Sequence, residues 1–466
     1  MILLLILITT FFLAINYVIA DNDYMHPAVV FHLVFLLYES ICLGGTLEYA
    51  ITLHIKSTIV LIIGFIAITV ANILSNKQGN KRLFVGIDIN EIKIHKKYYY
   101  TIIMLQLISI AFFYVYLKRI AIAYGSSYGN MPGSLSEMIQ LYDTLTKFWT
   151  KIFKKLSVPI PMAYRVTNPI CVGAEYIVLY IMVNNFIGKK RINIYSVVVL
   201  SLMCVRIVMN GSRSPLLRIF TYIFLLVYVL KYQRGQIQKG NKKFLWRIIT
   251  ASIGFGALMF LVLIIMGRSE NLAGSGDQIF VYLGAPIVNL DLFMERNEVK
   301  LFGSLDSNSL FGAHTFGGLY SYIGKIFKFI YIPPIETIGT FEFSNNGREI
   351  GNVYTMFFKL VYDFGFIGVF IFTFIMGVYY CFSYHRIMKQ PKKRKVIDFR
   401  LLVYAYLFND VVMSAFSARF YETVFNAAFI KFLFMAWVLD IVFVEKKIVY
   451  RKLHNVQYQS IKEEIK

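Results

Sequence analysis

Apolar runs long enough to cross a bilayer recur from residue 1 to about residue 444, and that recurrence decides the fold class. A spanning helix needs about 20 mostly apolar residues, because hydrocarbon leaves the backbone N–H and C=O groups no partner but one another. The runs fall at 1–20, 26–43, 57–74, 98–117, 166–186, 192–210, 215–231, 248–266, 364–384, 399–416 and 424–444, which predicts about eleven transmembrane helices. They leave no stretch for a large water-soluble domain, so residues 1–466 read as a single polytopic, all-α membrane domain. Charged residues make up 16% of the chain, against roughly 25% in soluble domains, which agrees. Val18-Ile19-Ala20 would serve as a signal-peptide cleavage site, but no Lys or Arg precedes the first run and its length suits a span, so it reads as the first helix.

The net charge of +22 would suggest nucleic acid in a soluble protein; here its placement excludes that reading. Lys and Arg gather in the connections 75–97, 187–191, 231–247 and 385–398 and in the tail 445–466, which fall on one side in strict alternation. By the positive-inside rule that side is cytoplasmic, placing the C-terminus inside and the N-terminus outside. Two outer connections are long, 118–165 and 267–351, and long ordered loops usually carry function. Residues 134–157 space Leu135, Met138, Ile139, Tyr142 and Leu145 as a helix that could lie flat in the outer interface. The larger loop, acidic and rich in Gly, Phe and Tyr, shows no clear helix or strand periodicity and is expected to carry function.

Cys42, Cys171, Cys204 and Cys381 all lie inside apolar runs with no CxxC spacing, so they read as buried side chains and not as a disulfide framework or metal site. Asp21-Asn22-Asp23 has the D-x-D form that can hold a divalent metal, but in a very short inner connection it reads as a solvated turn. Glu39, Glu175, Asp410 and Asp440 are scattered singly and read as structural. No metal or other cofactor is expected.

Ionisable groups at span ends are functional candidates by default. Arg206 and Arg213 flank the outer turn around Asn210-Gly211-Ser212 and would share a face if the helix ran on that far; Arg268 ends the next outward span. A guanidinium fork suits paired phosphate oxygens, though each arginine could equally reach lipid phosphates or a nearby acid. A third cluster runs from Arg348 through Asn352 and Tyr354 to Lys359 and Asp363. Lys359 and Asp363 stand at i, i+4 and could simply neutralise each other. His314 is the lone histidine of the large loop and a candidate general base by its titration range.

At these residues the chain resembles the O-antigen and capsular repeat-unit polymerases of the Wzy type. The resemblance rests on His26-Pro27 opening the second span, Asn210-Gly211-Ser212-Arg213-Ser214 at an outer turn and Gly267-Arg268 starting the long loop. It continues through Tyr282-Leu-Gly-Ala-Pro286-Ile-Val-Asn289, Leu310-Phe311-Gly312-Ala-His-Thr315 and Asn352-Val353-Tyr354-Thr355, to Tyr362-Asp363-Phe364-Gly365. It covers nearly the whole chain through short motifs whose order and topology carry it. It implies a C-type glycosyltransferase-like fold in a bacterial cytoplasmic membrane, joining undecaprenyl-pyrophosphate-linked repeat units at the outer face. A chain-length regulator and a flippase of the same pathway are then the expected partners, besides membrane lipids. Such transfer needs positive charge at the departing pyrophosphate and a base near the attacking hydroxyl. Arg206, Arg213, Arg268 and Arg348 are candidates for the first, with Asn289, Asn352, Tyr354 and Tyr282 for the glycan; Asp363, His314 or another loop acid could meet the second.

The rivals are an O-antigen ligase, differing only in its acceptor, and a lipid-linked oligosaccharide flippase, against which the long acidic loop and the missing paired halves both count. A membrane acyltransferase would need a well-placed His-Asp or paired-His site, and the sequence displays neither.

Overall fold

The computed structural model describes residues 1–76, 91–147, 149–265, 275–306, 309–327, 331–333, 335, 338–388, 393–394, 397–443 and 449–450. The basic connection at 77–90, Arg268 and most of the tail 445–466 lie outside them. The helices are α1 (Ile2–Ile19), α2 (Pro27–Gly44), α3 (Ile55–Asn76), α4 (Lys96–Tyr128), α5 (Leu135–Lys147), α6 (Thr150–Leu156), α7 (Met162–Lys189), α8 (Ile194–Met209), α9 (Ser214–Gln233) and α10 (Lys242–Ile265). There follow α11 (Ser275–Leu283), α12 (Ala285–Arg296), α13 (Gly317–Ile326), α14 (Phe357–Met388), α15 (Phe399–Val412), α16 (Arg419–Val424) and α17 (Ala427–Phe443). A hairpin of β1 (Glu342–Phe343) and β2 (Glu349–Gly351) precedes α14, and β3 (Lys393–Arg394) pairs antiparallel with β4 (Val449–Tyr450).

Every run expected to span is helical. Among the described residues seven helices, α1, α2, α3, α4, α7, α9 and α14, are long and apolar enough to cross a membrane. The chain is therefore an all-α multi-pass membrane protein. In the bundle α14 lies along α3, α1 along α2, α17 along α7 and α15 along α9, while α4 crosses both α7 and α8.

Polar contacts tie the connections together at two ends. At one, the Asp23 carboxylate accepts the hydroxyls of Tyr228 (2.6 Å) and Tyr384 (2.8 Å), joining the 20–26 turn to the ends of α9 and α14. Asp23 is thus fully buried, not solvated as its D-x-D spacing suggested, and burial raises its pKa. Asp21 alone keeps the expected exposure, pairing with Lys239 at 2.9 Å. At the other end the hairpin is pinned to the 45–54 connection: Asn345 and Asn346 donate to the Ala50 and Glu48 carbonyls, and Arg348 pairs with Glu48. This second end also carries the long loops.

Those loops are more ordered than their sequences suggest. The large one folds into α11, α12, α13 and the hairpin, and α12 is buried on most of its surface against α2, α3 and the hairpin. A short helix covered on several sides shows no amphipathic period, which explains the missing signal. In the first loop α4 runs on to Tyr128, past the expected end at 117, and α5 and α6 form two helices where one was expected. They pack on α4 through Phe113, Tyr116 and Leu117 and on its extension through Ile120 and Ala121. Three of the four cysteines are buried as expected, but Cys204 stands on the outer surface of α8.

One break in the bundle matters most. Within α14, Gly365 takes φ 68° and ψ −163°, a conformation essentially confined to glycine. The helical ladder stops there, and the segment 300–305 threads alongside to complete it. Phe366 and Ile367 donate to the carbonyls of Lys300 (3.3 Å) and Leu301 (3.0 Å), while the carbonyls of Tyr362 and Phe364 accept from Leu305 (2.9 Å) and Gly303 (3.3 Å). A side chain at 365 would meet the Lys300 carbonyl oxygen at 2.3 Å. Gly365→Ala is expected to destabilise by roughly 2–4 kcal/mol, adding a forbidden backbone conformation to a backbone clash. Thermal unfolding of the purified protein in detergent should show this as a large fall in midpoint beside Gly254→Ala, a site with no atom near its Cβ position. Equal midpoints would contradict the break.

Candidate functional site

The residue just before the break's Phe364 is Asp363. Its side chain is fully buried, and a carboxylate so desolvated must find donors. It finds them in the 310–316 turn: Thr315 N–H at 2.6 Å, His314 N–H at 3.4 Å and His314 Nδ1 at 2.9 Å. The expected Asp363–Lys359 pairing does not form, for Lys359 instead donates to Glu422 on α16. The two alternative bases of the sequence, His314 and Asp363, are therefore one unit. Since Nδ1 donates to the carboxylate, neutral His314 carries its proton there and presents Nε2 as the acceptor. The edge of its ring packs against Tyr362, with centroids 4.7 Å apart, which fixes its plane.

His314 stands between two hollows at the loop end. The larger, about 860 Å³, is lined by His314, Tyr320, Asn352, Tyr354, Lys359, Phe416, Arg419, Glu422 and Asn426 among others. The smaller, about 570 Å³, shares His314 and Tyr354 and adds Arg296, Asp306 and Glu342. In the larger hollow Lys359 and Arg419 share the single carboxylate of Glu422, so one positive charge is left over, and the buried Nε of Arg419 has no hydrogen-bond partner. Lys147 lies close to Arg213 and Arg419 and pairs with Asp143; burial, then the charges of the two arginines, lower its pKa. Arg213 donates to the Tyr282 hydroxyl (2.9 Å) with its guanidinium 5.2 Å over that ring, and Tyr282 stacks toward Phe416 on the hollow's wall. The rim beside His314 is thus cationic, a setting for an anionic leaving group in a partly dry site.

The other expected site residues divide. Asn352 and Tyr354 line the larger hollow. Tyr354 donates to Glu342 (2.8 Å) and stacks on Phe358, and burial, followed by that acid, raises its pKa. Asn289 is buried, donating to the carbonyls of Gly351 and Val353, and so holds the chain leading into the site without lining it. Arg348 is spent on Glu48 and on the Tyr49 ring. Arg206 does not share a face with Arg213: α8 ends at Met209, Gly211 turns at φ 69°, and Arg206 points into the bundle, where it pairs with Glu175 and Asn168. Glu175 and Asp410 are accordingly not solitary acids but partners of Arg206 and Arg218. Sequence reasoning passed over Arg419 and Glu422, whose signal was an Arg-x-x-Glu pair in the short connection between α15 and α17.

A second His–Asp contact has a plainer role. Asp291 accepts from His54 N–H (2.8 Å), His54 Nδ1 (2.7 Å) and the Ser57 hydroxyl, capping the start of α3. The Asp291 hydrogen bond raises the pKa of the half-exposed His54.

In comparisons with known proteins the chain matches no family model, no curated protein and no solved structure.

The geometry predicts the His314 tautomer. In ¹⁵N spectra of histidine-labelled protein above the ring's titration range, His314 should show a protonated Nδ1 in the wild type and in Lys359→Gln, and a mixed tautomer in Asp363→Asn. A tautomer shift caused by Lys359→Gln but not by Asp363→Asn would restore the local i, i+4 pair and refute the unit described here.

Proposed function

We propose that the chain is a glycosyltransferase of the repeat-unit polymerase kind, at the outer face of a bacterial cytoplasmic membrane, with its N-terminus outside and its C-terminus inside. It joins undecaprenyl-pyrophosphate-linked oligosaccharides and releases undecaprenyl pyrophosphate. The observation that carries this reading is the His314–Asp363 unit facing a large hollow with a cationic rim. In the proposed step the bond from the donor sugar's anomeric carbon to the pyrophosphate oxygen breaks, and a bond to the acceptor hydroxyl oxygen forms. The hydroxyl proton passes to His314 Nε2, and the pyrophosphate leaves with the bonding electron pair. Asp363 orients the ring and balances the imidazolium, which favours the orienting role among those the sequence left open. Lys359, Arg419 and Arg213 stabilise the departing charge, and Tyr320, Tyr354 and Asn352 offer ring faces and amide groups to the sugars. This reaction uses no metal ion or organic cofactor.

The same unit favours one further reading, since a His–Asp pair is what an acyl transfer to a glycan hydroxyl would need. The glycan itself separates these readings. Cells lacking the protein, and cells carrying His314→Ala, are expected to accumulate single lipid-linked repeats, with extension by the variant reduced about 10²–10⁴-fold at normal protein level. Full-length polymer left unattached would indicate a ligase, and repeats retained on the inner face would indicate a flippase. Polymer of normal length lacking an acyl substituent would indicate an acyltransferase. Any of the three would overturn the polymerase reading.

A further inference from the structure

A second cleft, of about 470 Å³, opens at the loop end between α7, α8, α9, α15 and α17. We infer that it binds the phosphate headgroup of an anionic bilayer lipid. Four cations line it: Arg165, Arg206, Arg218 and Lys431. Arg165 is the fourth residue of α7, Arg206 the fourth from the end of α8, Arg218 the fifth of α9 and Lys431 the fifth of α17. At 1.5 Å of rise per residue all four sit about 4.5–6 Å, roughly one turn, below the loop end of their helices, so they share one level near the end of the bundle.

The charges do not cancel. Arg206 is paired with Glu175, and Arg218 with Asp410 at 3.1 Å. Arg165 and Lys431, both exposed, have no carboxylate partner among the described residues, so four cations against two acids leave two positive charges at the mouth. Arg206 is 6% exposed, and its Nε, like that of Arg218, is buried without a hydrogen-bond partner, which leaves donors at the back of the cleft. The remaining walls are largely apolar, with Val172, Ile207 and Phe432, and would accept the start of an acyl chain. Ile160 on the cleft wall, and Met162, Val166 and Val205, which are close neighbours in sequence of the lining residues Arg165 and Arg206, are exposed apolar side chains, as expected where a cleft opens to lipid and not to water.

This cleft is separate from the hollow at His314. Helix α16 stands between them: Arg419 and Glu422 line the hollow, whereas Thr423 on the same helix accepts from Arg218 at 3.4 Å. The lipid site therefore does not depend on the reaction proposed above. A bound lipid would brace α16 through Arg218 and so hold the wall that carries Arg419 and Glu422.

The test is made on the full-length protein in phosphatidylcholine nanodiscs doped with phosphatidylglycerol, counting co-purified lipid by native mass spectrometry. Wild type is expected to retain phosphatidylglycerol over phosphatidylcholine. The double variant Arg165→Gln/Lys431→Gln, altered only at exposed side chains, should lose about tenfold or more of that preference. Lys242→Gln/Lys243→Gln, at the opposite end, should keep it. No preference in the wild type, or an unchanged preference in the double variant, overturns the inference. Displacement of phosphatidylglycerol by an equimolar amount of undecaprenyl phosphate would assign the cleft to a substrate carrier instead. Inorganic phosphate binding as tightly as the lipid would likewise overturn the lipid assignment.

Discussion

The site depends on a helix that stops in mid-course. In a bilayer a broken backbone is tolerated only where protein or a water-lined cavity satisfies the freed groups. At Gly365 the segment 300–305 does so, exchanging four hydrogen bonds with α14 on both sides of the break. Two consequences follow from that one repair. The large loop is anchored to the bundle at its middle, and residues 357–364 end as a half-helix that delivers Asp363 to the turn at 310–316. The carboxylate is then satisfied by that turn's own N–H groups, so the position of His314 is set by the same backbone that closes the gap. Discontinuous helices commonly mark binding sites in membrane proteins for this reason.

Charge is arranged in the same spirit. Two acids inside the bundle are held by arginines, Glu175 by Arg206 and Asp410 by Arg218, because an unpaired buried charge would be far more costly than a paired one. At the loop end the balance tips: Lys359 and Arg419 compete for Glu422, and Arg213 stands close by with the Tyr282 hydroxyl and ring as its contacts, while Lys147 is held by Asp143. An excess of fixed positive charge beside a hollow is unfavourable in the empty protein and becomes favourable when an anion arrives, so it has the character of a binding device.

Much of this was legible from residues alone, and what was not has physical reasons. Continuous apolar runs report helices directly: each of the eleven falls on a helix, and seven helices among the described residues are long and apolar enough to span. The break was hidden because residues 364–384 read as one unbroken run; nothing local distinguishes a glycine that packs from one that turns. The Lys359–Asp363 pairing followed a sound local rule, but tertiary partners 49 and 63 residues away in sequence outcompeted it. His314 and Asp363 were each picked out singly, while their union needed the fold. The Arg206–Arg213 face failed at Gly211, whose positive φ ends the helix. Arg419 was missed because the short connection that carries it has no periodicity to read.

The central claim is that His314 and Asp363 act as one unit, and a double-mutant cycle on extension of lipid-linked repeats by reconstituted protein tests it most directly. The account predicts that His314→Ala combined with Asp363→Asn is no slower, within a few-fold, than His314→Ala alone, since removing the ring leaves the carboxylate nothing to orient. Losses that multiply would contradict it, showing two residues that act independently.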